Sequence, residues 1–262
     1  MLTYIDTKKG NDTLVFIHSY LWDKTMWEPQ INYFKDKYRC VSIDLVGHGD
    51  SKAKPDEISF EKIAKDITSL LENLKIDKFI YIGLSVGGML APYIYNRNKE
   101  KIKALILMDT YLGSEPLETQ KLYFQMLDTI ETSKKIPPML VEKIAPLFFS
   151  PNIIQNNSLL IKNFKYYLGN ISQSQIECIV KFGRLIFGRV STLNFLSSIE
   201  SLPIYFITGE FDIPRPYKEA EEMYKLSLNS QIFKISNAGH ISNLENPKET
   251  NKVLEEILDS LN

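Results

Sequence analysis

Cysteine and histidine are scarce in this chain, whose 262 residues include two cysteines and three histidines. Cys40 and Cys178 lie far apart in sequence, which excludes a disulfide framework and the closely spaced cysteine pairs of zinc sites. Both are interpreted as small, buried packing residues. An excess of one charge is also missing, because 31 basic residues face 32 acidic ones and the formal net charge is -1. This balance does not favour binding to nucleic acid or to an anionic membrane.

Long apolar runs are absent as well. No stretch approaches the length that crosses a bilayer, and the first residues lack the basic segment followed by an apolar segment that marks a secretory signal. We therefore expect a cytoplasmic protein without a membrane span. The sequence has no cluster of metal ligands and no glycine-rich dinucleotide fingerprint, so we predict neither a metal nor an organic cofactor. Its hydrophobic content of 44% is enough for a sizeable core.

Short apolar runs alternate with helical patterns in the first half of the chain and again near its end. Runs rich in β-branched and aromatic residues predict strands over residues 13–17, 39–44, 79–82, 104–108, 203–208 and 230–235. Apolar residues at helical spacing predict helices over residues 60–71, 216–227 and 247–261. Continuous apolar strands separated by helices are typical of a parallel sheet that is covered on both faces. The predicted fold class is α/β, with a mostly parallel, doubly wound sheet.

The alternation is interrupted between residues 111 and 201, where no strand is predicted. This stretch is rich in Leu, Ile, Phe, Tyr and Met, and Pro and Gly divide it into segments. We predict helices over residues 116–132, 138–149, 152–168, 173–188 and 191–199. The domain prediction is a core of residues 1–110 and 202–262, with a helical cap of residues 111–201 inserted between the two halves of one sheet.

The most informative motif is Gly83-Leu84-Ser85-Val86-Gly87, which lies between a predicted strand and a helical pattern. Gly-x-Ser-x-Gly in this context predicts a nucleophile elbow, a tight turn that lifts the serine hydroxyl clear of the backbone. Glycines flank the serine because the neighbouring strand and helix leave no room for a Cβ. Ser85 is therefore the predicted nucleophile. It needs a base, an orienting acid and donors for an oxyanion.

Each of the three histidines could serve as the base. His240 follows the last predicted strand, on a loop at the carboxyl end of the sheet, where ligands bind in open α/β folds. It is the predicted base. His18 follows the first strand and His48 the second, and both are interpreted as residues that order their own loops.

The orienting acid is chosen among residues that follow strands. Asp212 comes directly after the strand predicted over residues 203–208 and is the predicted acid. Asp109 follows an earlier strand and could also reach the histidine, so it is the alternative acid. Its other interpretation is a residue that caps a turn. Glu210 lies nearer the end of its strand and is expected to point elsewhere.

An oxyanion hole requires two backbone N–H groups. One is predicted from Val86, the residue after the nucleophile, because its N–H begins a helix whose dipole favours negative charge. The other is predicted from the loop over residues 18–22, with Tyr20 as the donor.

With these motifs in place, the chain resembles the α/β-hydrolase superfamily over nearly its full length. The order Ser85, Asp212, His240 matches that of the family. Residues 15–20 are similar to its His-Gly-x oxyanion segment, with Ser19 in place of the usual glycine, and residues 44–51 are similar to its Asp-x-x-Gly-x-Gly-x-Ser turn. The elbow is similar to those of the branch that holds enol-lactonases, cofactor-free haloperoxidases and C–C bond hydrolases. The resemblance implies that residues 111–201 correspond to the cap domain.

The resemblance also narrows the reaction. Haloalkane dehalogenases and epoxide hydrolases of this fold use an aspartate nucleophile, whereas position 85 is serine. C–C hydrolases commonly carry an aromatic residue after the catalytic histidine, whereas Ile241 follows His240. We predict a serine hydrolase that cleaves a small carboxylic ester, thioester or lactone through an acyl-Ser85 intermediate. Acyl transfer or perhydrolysis, C–C bond hydrolysis, and ligand binding by a receptor on a hydrolase scaffold stay open as alternatives.

Aromatic residues predict a mainly apolar substrate pocket. The candidates are Trp22, beside the oxyanion loop, and three cap residues: Phe124, Phe148 and Phe182. Arg184 and Arg189, also in the cap, would either be solvated at the surface or clamp a substrate carboxylate. The expected partner is a small-molecule ester or lactone, and the sequence makes no prediction of the oligomeric state.

Overall fold

The computed structural model describes residues 2–52, 55 and 58–261 and contains one seven-stranded sheet. Its strands are β1 (Tyr4–Asp6), β2 (Thr13–Ile17), β3 (Arg39–Ile43), β4 (Phe79–Leu84), β5 (Ile102–Met108), β6 (Ile204–Gly209) and β7 (Ser230–Ile235). Their order across the sheet is β1-β3-β2-β4-β5-β6-β7. All neighbours pair in parallel except β1 and β3, which are antiparallel. The prediction of a mostly parallel α/β sheet is confirmed.

Strand β1 was missed by the sequence analysis. It is only three residues long, lies at the edge of the sheet and is partly exposed, so it shows no continuous apolar run. It pairs with β3 through Tyr4 opposite Ile43. The ion pair between Asp6 Oδ2 and Arg39 Nη2, at 2.8 Å, fastens the same two strands together.

In the described part of the chain, four α-helices precede β5: α1 (Glu28–Phe34), α2 (Phe60–Asn73), α3 (Val86–Met89) and α4 (Ala91–Asn98). The side chain of Ser59 caps α2 by accepting a hydrogen bond from the N–H of Lys62. Ile63, Ile67 and Leu71 are buried along this helix at a spacing of four residues. This spacing gives α2 the single apolar face of a helix that packs on a sheet.

Between β5 and β6 the described chain forms helices and no strand. These helices are α5 (Leu117–Ser133), α6 (Pro138–Ile144), α7 (Pro151–Gln155), α8 (Leu159–Gly169), α9 (Gln173–Phe187) and α10 (Asn194–Ser197). The helix predicted over residues 138–149 tightens into a 3-10 helix at Ala145–Phe148, and the one predicted over residues 152–168 is interrupted near Asn157, whose φ is +43°. That residues 111–201 act as a cap, with the domain boundaries drawn from it, stays a prediction.

The chain closes with α11 (Tyr217–Leu226), α12 (Ser242–Glu245) and α13 (Pro247–Ser260). Helices α1 and α13 contact each other, as do α2 and α4, so the sheet is flanked by two sets of helices. Within the residues that the structure describes, no helix is long and apolar enough to cross a lipid bilayer.

The topology brings chemically active residues to one edge of the sheet. Ser85 follows β4 and Asp109 follows β5, while Asp212 lies in the loop after β6 and His240 in the loop after β7. These four strands are neighbours and run in parallel, so their carboxyl ends meet at the same edge.

Candidate active site

Ser85 lies between β4 and α3 in a strained backbone conformation. Its φ is +56° and its ψ is -115°, a combination that residues other than glycine rarely adopt. The neighbouring strand holds the turn. The Ser85 N–H donates to the carbonyl of Met108 at 2.8 Å, and the Thr110 hydroxyl donates to the carbonyl of Ser85 at 2.6 Å. The turn therefore has the geometry of the nucleophile elbow that the motif predicted.

The glycines of the elbow are required by close backbone contacts. A Cβ on Gly87 would collide with the carbonyl oxygen of Ile17 on β2, and a Cβ on Gly83 would collide with the backbone of Gly87. Main-chain atoms cannot move aside as a flexible side chain can. Both positions therefore exclude any larger residue.

Three of the predicted site residues meet at this edge of the sheet. His240 Nε2 lies 2.9 Å from Ser85 Oγ. His240 Nδ1 lies 3.0 and 2.9 Å from the two carboxylate oxygens of Asp212. All three residues are buried, with at most 8% of their surface exposed. In this geometry an imidazole can accept the serine proton while its other nitrogen donates to the carboxylate.

Backbone hydrogen bonds shape the loop that carries Asp212. The N–H of Arg215 donates to Asp212 Oδ1 at 2.9 Å, and the N–H of Asp212 donates to the carbonyl of Gly209 at 3.2 Å. Glu210 points away, as expected, and accepts the N–H of Asn237 at 2.9 Å. The acid of the site is thus held by its own loop.

Glu245 supports the loop that carries His240, and the sequence analysis missed it. Its carboxylate accepts the N–H of Gly239 at 2.8 Å and the N–H of Ser150 at 2.9 Å. It therefore ties the histidine loop to the inserted helices. Burial raises the pKa of this carboxyl group.

Asp109, the alternative acid, occupies a different place. Its carboxyl group accepts the N–H of Gly209 at 2.7 Å and the hydroxyl of Ser242 at 2.5 Å. No hydrogen bond joins it to His240 among the described residues. Burial, and then the nearby carboxylate of Asp212, raise the pKa of Asp109 well above its ordinary value. The geometry pairs His240 with Asp212.

The loop after β2 lies beside the elbow, since Tyr20 and Ser85 line the same cavity. Val86 is the first residue of α3, so its N–H is not used within the helix. In the described part of the chain, no acceptor pairs with the N–H of Tyr20 or of Val86. Both groups are therefore free to bind an anionic oxygen, which fits their predicted role. Ser19 also lines the cavity, and its buried hydroxyl has no partner among the described residues.

His18 fixes the backbone of this loop, as predicted. Its Nδ1 donates to the carbonyl of Ser19 at 2.7 Å, and its Nε2 accepts the N–H of Leu45 at 2.8 Å. Burial lowers the pKa of His18 to about 4, so the ring stays neutral near pH 7. His48 donates from Nδ1 to the carbonyl of Val46 at 3.1 Å, and burial lowers its pKa to about 3.

Ser85 and His240 line a cavity of about 80 Å³. Part of its wall comes from the oxyanion loop and the elbow, and the rest comes largely from the inserted helices. The apolar residues that α5 and α9 supply are Met126, Leu127, Ile130, Ile179, Ile186 and Phe187. The site is therefore enclosed mainly by hydrocarbon side chains.

Of the four aromatic pocket candidates, only Phe148 lines this cavity, with its ring centroid 5.5 Å from that of His240. Trp22 lies outside it. The Trp22 indole stacks on Phe164 of α8 at a centroid distance of 4.5 Å. This stacking anchors the segment after the oxyanion loop against the inserted helices.

Phe124 and Phe182 also lie outside the cavity. Phe124 faces the guanidinium of Arg184, 5.8 Å from its ring centroid. Phe182 is fully buried and stacks on the ring of Tyr20 at 6.2 Å. Three of the four pocket candidates therefore lie outside the cavity, because Trp22 and Phe182 stack on other aromatic rings and Phe124 faces a guanidinium.

Neither Arg184 nor Arg189 lines the cavity. Arg184 forms ion pairs at 2.6 and 2.7 Å with acidic side chains of α5 near the surface. Arg189 is buried rather than solvated, and its Nη1 donates to Glu115 at 2.7 Å. Arg215 lines the cavity instead. It was missed because it lies after β6, outside the insertion in which an arginine was sought.

Within residues 2–52, 55 and 58–261, no group of three or more His, Cys, Asp or Glu side chains is arranged to hold a metal ion.

A buried Ser–His–Asp arrangement, with the serine at a strand–turn–helix elbow on a mostly parallel sheet, defines the α/β-hydrolase class. Comparison with known proteins gives the same class. The alpha/beta hydrolase fold family matches residues 12–247, and the chain belongs to that family.

Curated relatives cover most of the chain at low identity. The chain is 23% identical over 257 residues to 3-oxoadipate enol-lactonase 2 of Acinetobacter baylyi, across 95% of this chain and 89% of that protein. It is 26% identical over 261 residues to karrikin insensitive 2 receptor IA of Petunia hybrida, across 94% and 89% of the two chains. Among solved structures, a thermophilic esterase from Thermogutta terrifontis with malate bound has a TM-score of 0.88 at 24% identity, over 99% of this chain and 93% of that one. This likeness shows that the fold is shared.

Proposed function

We propose that this protein is a serine hydrolase that cleaves a small carboxylic ester, thioester or lactone. The observation that carries the proposal is the hydrogen-bonded series from Ser85 through His240 to Asp212, with distances of 2.9 to 3.0 Å. A serine hydroxyl becomes an effective nucleophile when it is bonded to a base that a third group orients. The name of the enol-lactonase relative supports the same reaction class.

The triad residues and the two N–H groups have distinct roles in the proposed reaction. Ser85 Oγ attacks the carbonyl carbon while His240 Nε2 takes the hydroxyl proton, and Asp212 stabilises the resulting imidazolium. The N–H groups of Val86 and Tyr20 hold the oxyanion. His240 then gives its proton to the leaving alcohol or thiol, which leaves the acyl group on Ser85. Water, deprotonated by His240, attacks this acyl ester, and His240 returns the proton to Ser85 Oγ as the carboxylic acid is released.

The size of the cavity supports a small substrate. Its volume of about 80 Å³ is well below the roughly 300 Å³ at which pockets for drug-sized ligands begin. Leu127 and Ile130 of α5 and Ile179 of α9 form part of its wall. This contribution supports the proposed role of residues 111–201 as a cap over the acyl group.

The same three residues would also serve acyl transfer or perhydrolysis, in which an alcohol, an amine or a peroxide replaces water. C–C bond hydrolysis is a further reaction of the same triad. Ligand reception with slow turnover is the second candidate function, and the 26% identity to a karrikin insensitive 2 receptor supports it. These alternatives differ in the rate and the products of turnover.

A fluorophosphonate probe followed by a panel of esters and lactones tests the proposal. We expect the wild-type protein and an exposed-serine control, Ser69→Ala, to be labelled, and Ser85→Ala to stay unlabelled. We also expect Ser85→Ala to lose about 10⁴-fold or more in kcat on p-nitrophenyl butyrate. Wild-type turnover by Ser85→Ala would end the proposal. Turnover below about one per minute on every substrate, with ligand-induced stabilisation, would favour the receptor.

A further inference from the structure

One charged side chain faces the otherwise apolar cavity. Of the described residues that line it, Arg215 is the one with a permanent charge. Only 4% of its side chain is exposed. A buried charge is costly unless partners compensate it, so the groups around Arg215 indicate what the site is built to accept.

Glu115 compensates Arg215 only in part, because two arginines share it. Glu115 Oε1 accepts a hydrogen bond from Arg189 Nη1 at 2.7 Å and another from Arg215 Nη2. Its side chain is 1% exposed. Two buried cations therefore share one buried carboxylate, so Glu115 is not a partner for Arg215 alone.

Two further carboxyl groups lie near Arg215, and neither forms a close bidentate pair with its guanidinium. Glu219 Oε2 is 3.5 Å from Arg215 Nη1. Burial raises the pKa of Glu219 to about 7, so it is partly protonated at neutral pH. Asp212 accepts only the backbone N–H of Arg215, and its carboxylate is bonded to His240. The shortest hydrogen bond of the Arg215 guanidinium is therefore the one to the shared Glu115.

The Arg215 guanidinium also has N–H groups that form no hydrogen bond with the described residues. Such a group carries five N–H bonds in a planar fork that matches a carboxylate. Across the described chain, the acceptors for this fork are Glu115 and Glu219. The remaining N–H bonds are available to a ligand in the cavity.

We propose that Arg215 is the residue that binds a carboxylate group of the substrate, so that the preferred substrates are esters or lactones with a second, anionic carboxyl group. The inference rests on the proposed function for the reaction at Ser85. It adds the substrate class. The carboxylate would accept the unused N–H bonds of the Arg215 guanidinium while the apolar wall encloses the carbon chain between the two ends.

Two phenyl esters with acyl chains of equal length test this proposal: phenyl hydrogen glutarate, which carries a carboxylate, and phenyl pentanoate, which is neutral. The measured quantity is the ratio of their kcat/KM values. We expect this ratio to fall roughly 10- to 100-fold in Arg215→Gln, because one charge-assisted hydrogen-bonded pair is lost. Arg215→Lys should restore part of the ratio, since it keeps the charge and loses the fork. The matched control, Arg184→Gln at the surface, should leave the ratio unchanged.

An equal loss on both esters in Arg215→Gln would overturn the proposal, because it would show that Arg215 only supports the Asp212 loop. If Arg215→Gln does not fold, the ratio of kcat/KM values is measured in Arg215→Lys instead. A fall in this ratio of about threefold or more would support the proposal, and an unchanged ratio would contradict it.

If the wild-type protein hydrolyses neither ester, calorimetry with glutarate separates the two proposals. Binding that weakens at least about tenfold in Arg215→Gln would support the carboxylate site while the hydrolase proposal fails. Absence of glutarate binding would overturn the site.

Discussion

Two aspartates end neighbouring strands, and their contacts assign them different roles. Asp212 is bonded to His240, whereas Asp109 is bonded to Gly209 and Ser242. The raised pKa of Asp109 favours its protonated form, which has one donor and one acceptor oxygen. An asparagine amide has a donor and an acceptor oxygen as well, so it can replace this group. The two positions therefore predict different responses to the same change.

We expect Asp212→Asn to lower kcat on p-nitrophenyl butyrate by about 10⁴-fold, the loss that this change causes in trypsin-type triads, because it stabilises the wrong histidine tautomer. Asp109→Asn should lower it by less than about tenfold, because the amide oxygen can accept the N–H of Gly209 and the amide NH2 can donate to the hydroxyl oxygen of Ser242. Circular dichroism spectra check that both variants fold. Equal losses would contradict the assignment of the acid.

His18 links pH to stability. Burial lowers its pKa from 6.5 to about 4. Between these values the unfolded chain binds a proton that the folded chain does not bind. The stability that neutral His18 contributes is therefore fully present above pH 6.5 and is lost as the pH falls toward 4. The difference of about 2.5 pH units corresponds to about 3 kcal/mol.

Urea unfolding of the wild-type protein and of His18→Gln, at several values between pH 7.5 and pH 4, measures this term. The difference in unfolding free energy between the two proteins should shift by about 3 kcal/mol against the wild type as the pH falls. Other titrating groups, including His48, are present in both proteins and largely cancel. A constant difference would show that His18 does not carry the effect.

At the scale of elements, the elbow depends on backbone atoms of β2 and α3 that lie too close for a side chain. We expect Gly87→Ala to lower the unfolding free energy by about 2 kcal/mol or more, because the new Cβ meets the carbonyl oxygen of Ile17. Gly169 at the end of α8 is the control, since a Cβ added there would meet no described atom within 4 Å. Gly169→Ala should raise stability by about 0.5 to 1 kcal/mol.

Urea unfolding of both glycine variants checks these values. A similar effect at Gly87 and at Gly169 would mean that the elbow tolerates a side chain and that the collision is relieved by a small backbone shift.

The elements of the sheet could be predicted where their pattern is local. Six strands have runs rich in β-branched and aromatic residues, and Ser85, Asp212 and His240 follow such runs, so strand ends and the elbow motif together identified them. Strand β1 has three residues and no such run. The helix interruption near Asn157 depends on a backbone conformation that no apolar spacing encodes.

At the scale of the whole molecule, the charged cluster behind the cavity was not predictable. Glu115 lies 74 residues from Arg189 and 100 residues from Arg215 along the chain. No periodicity or motif connects positions so far apart, and only the packing of the insertion against the loop after β6 brings them together. For the same reason, composition alone misplaced three of the four aromatic pocket candidates.

The cavity is formed by two separate parts of the molecule. The sheet edge supplies Ser85 and His240, and α5, in the insertion, supplies Ile130. Acyl-chain preference should therefore respond to a change in the insertion. We expect Ile130→Ala to raise the octanoate-to-butyrate ratio of kcat/KM for p-nitrophenyl esters by about tenfold, since roughly two more methylene groups can be buried at about 0.8 kcal/mol each.

Ile161→Ala provides the matched control, because Ile161 is equally buried on α8 and does not line the cavity. Both variants should lower the unfolding free energy by about 2 to 5 kcal/mol, as large-to-small core changes do. Only Ile130→Ala should change the chain-length preference. A parallel change in both variants would mean that general loosening of the inserted helices, rather than the wall of the cavity, determines which acyl groups fit.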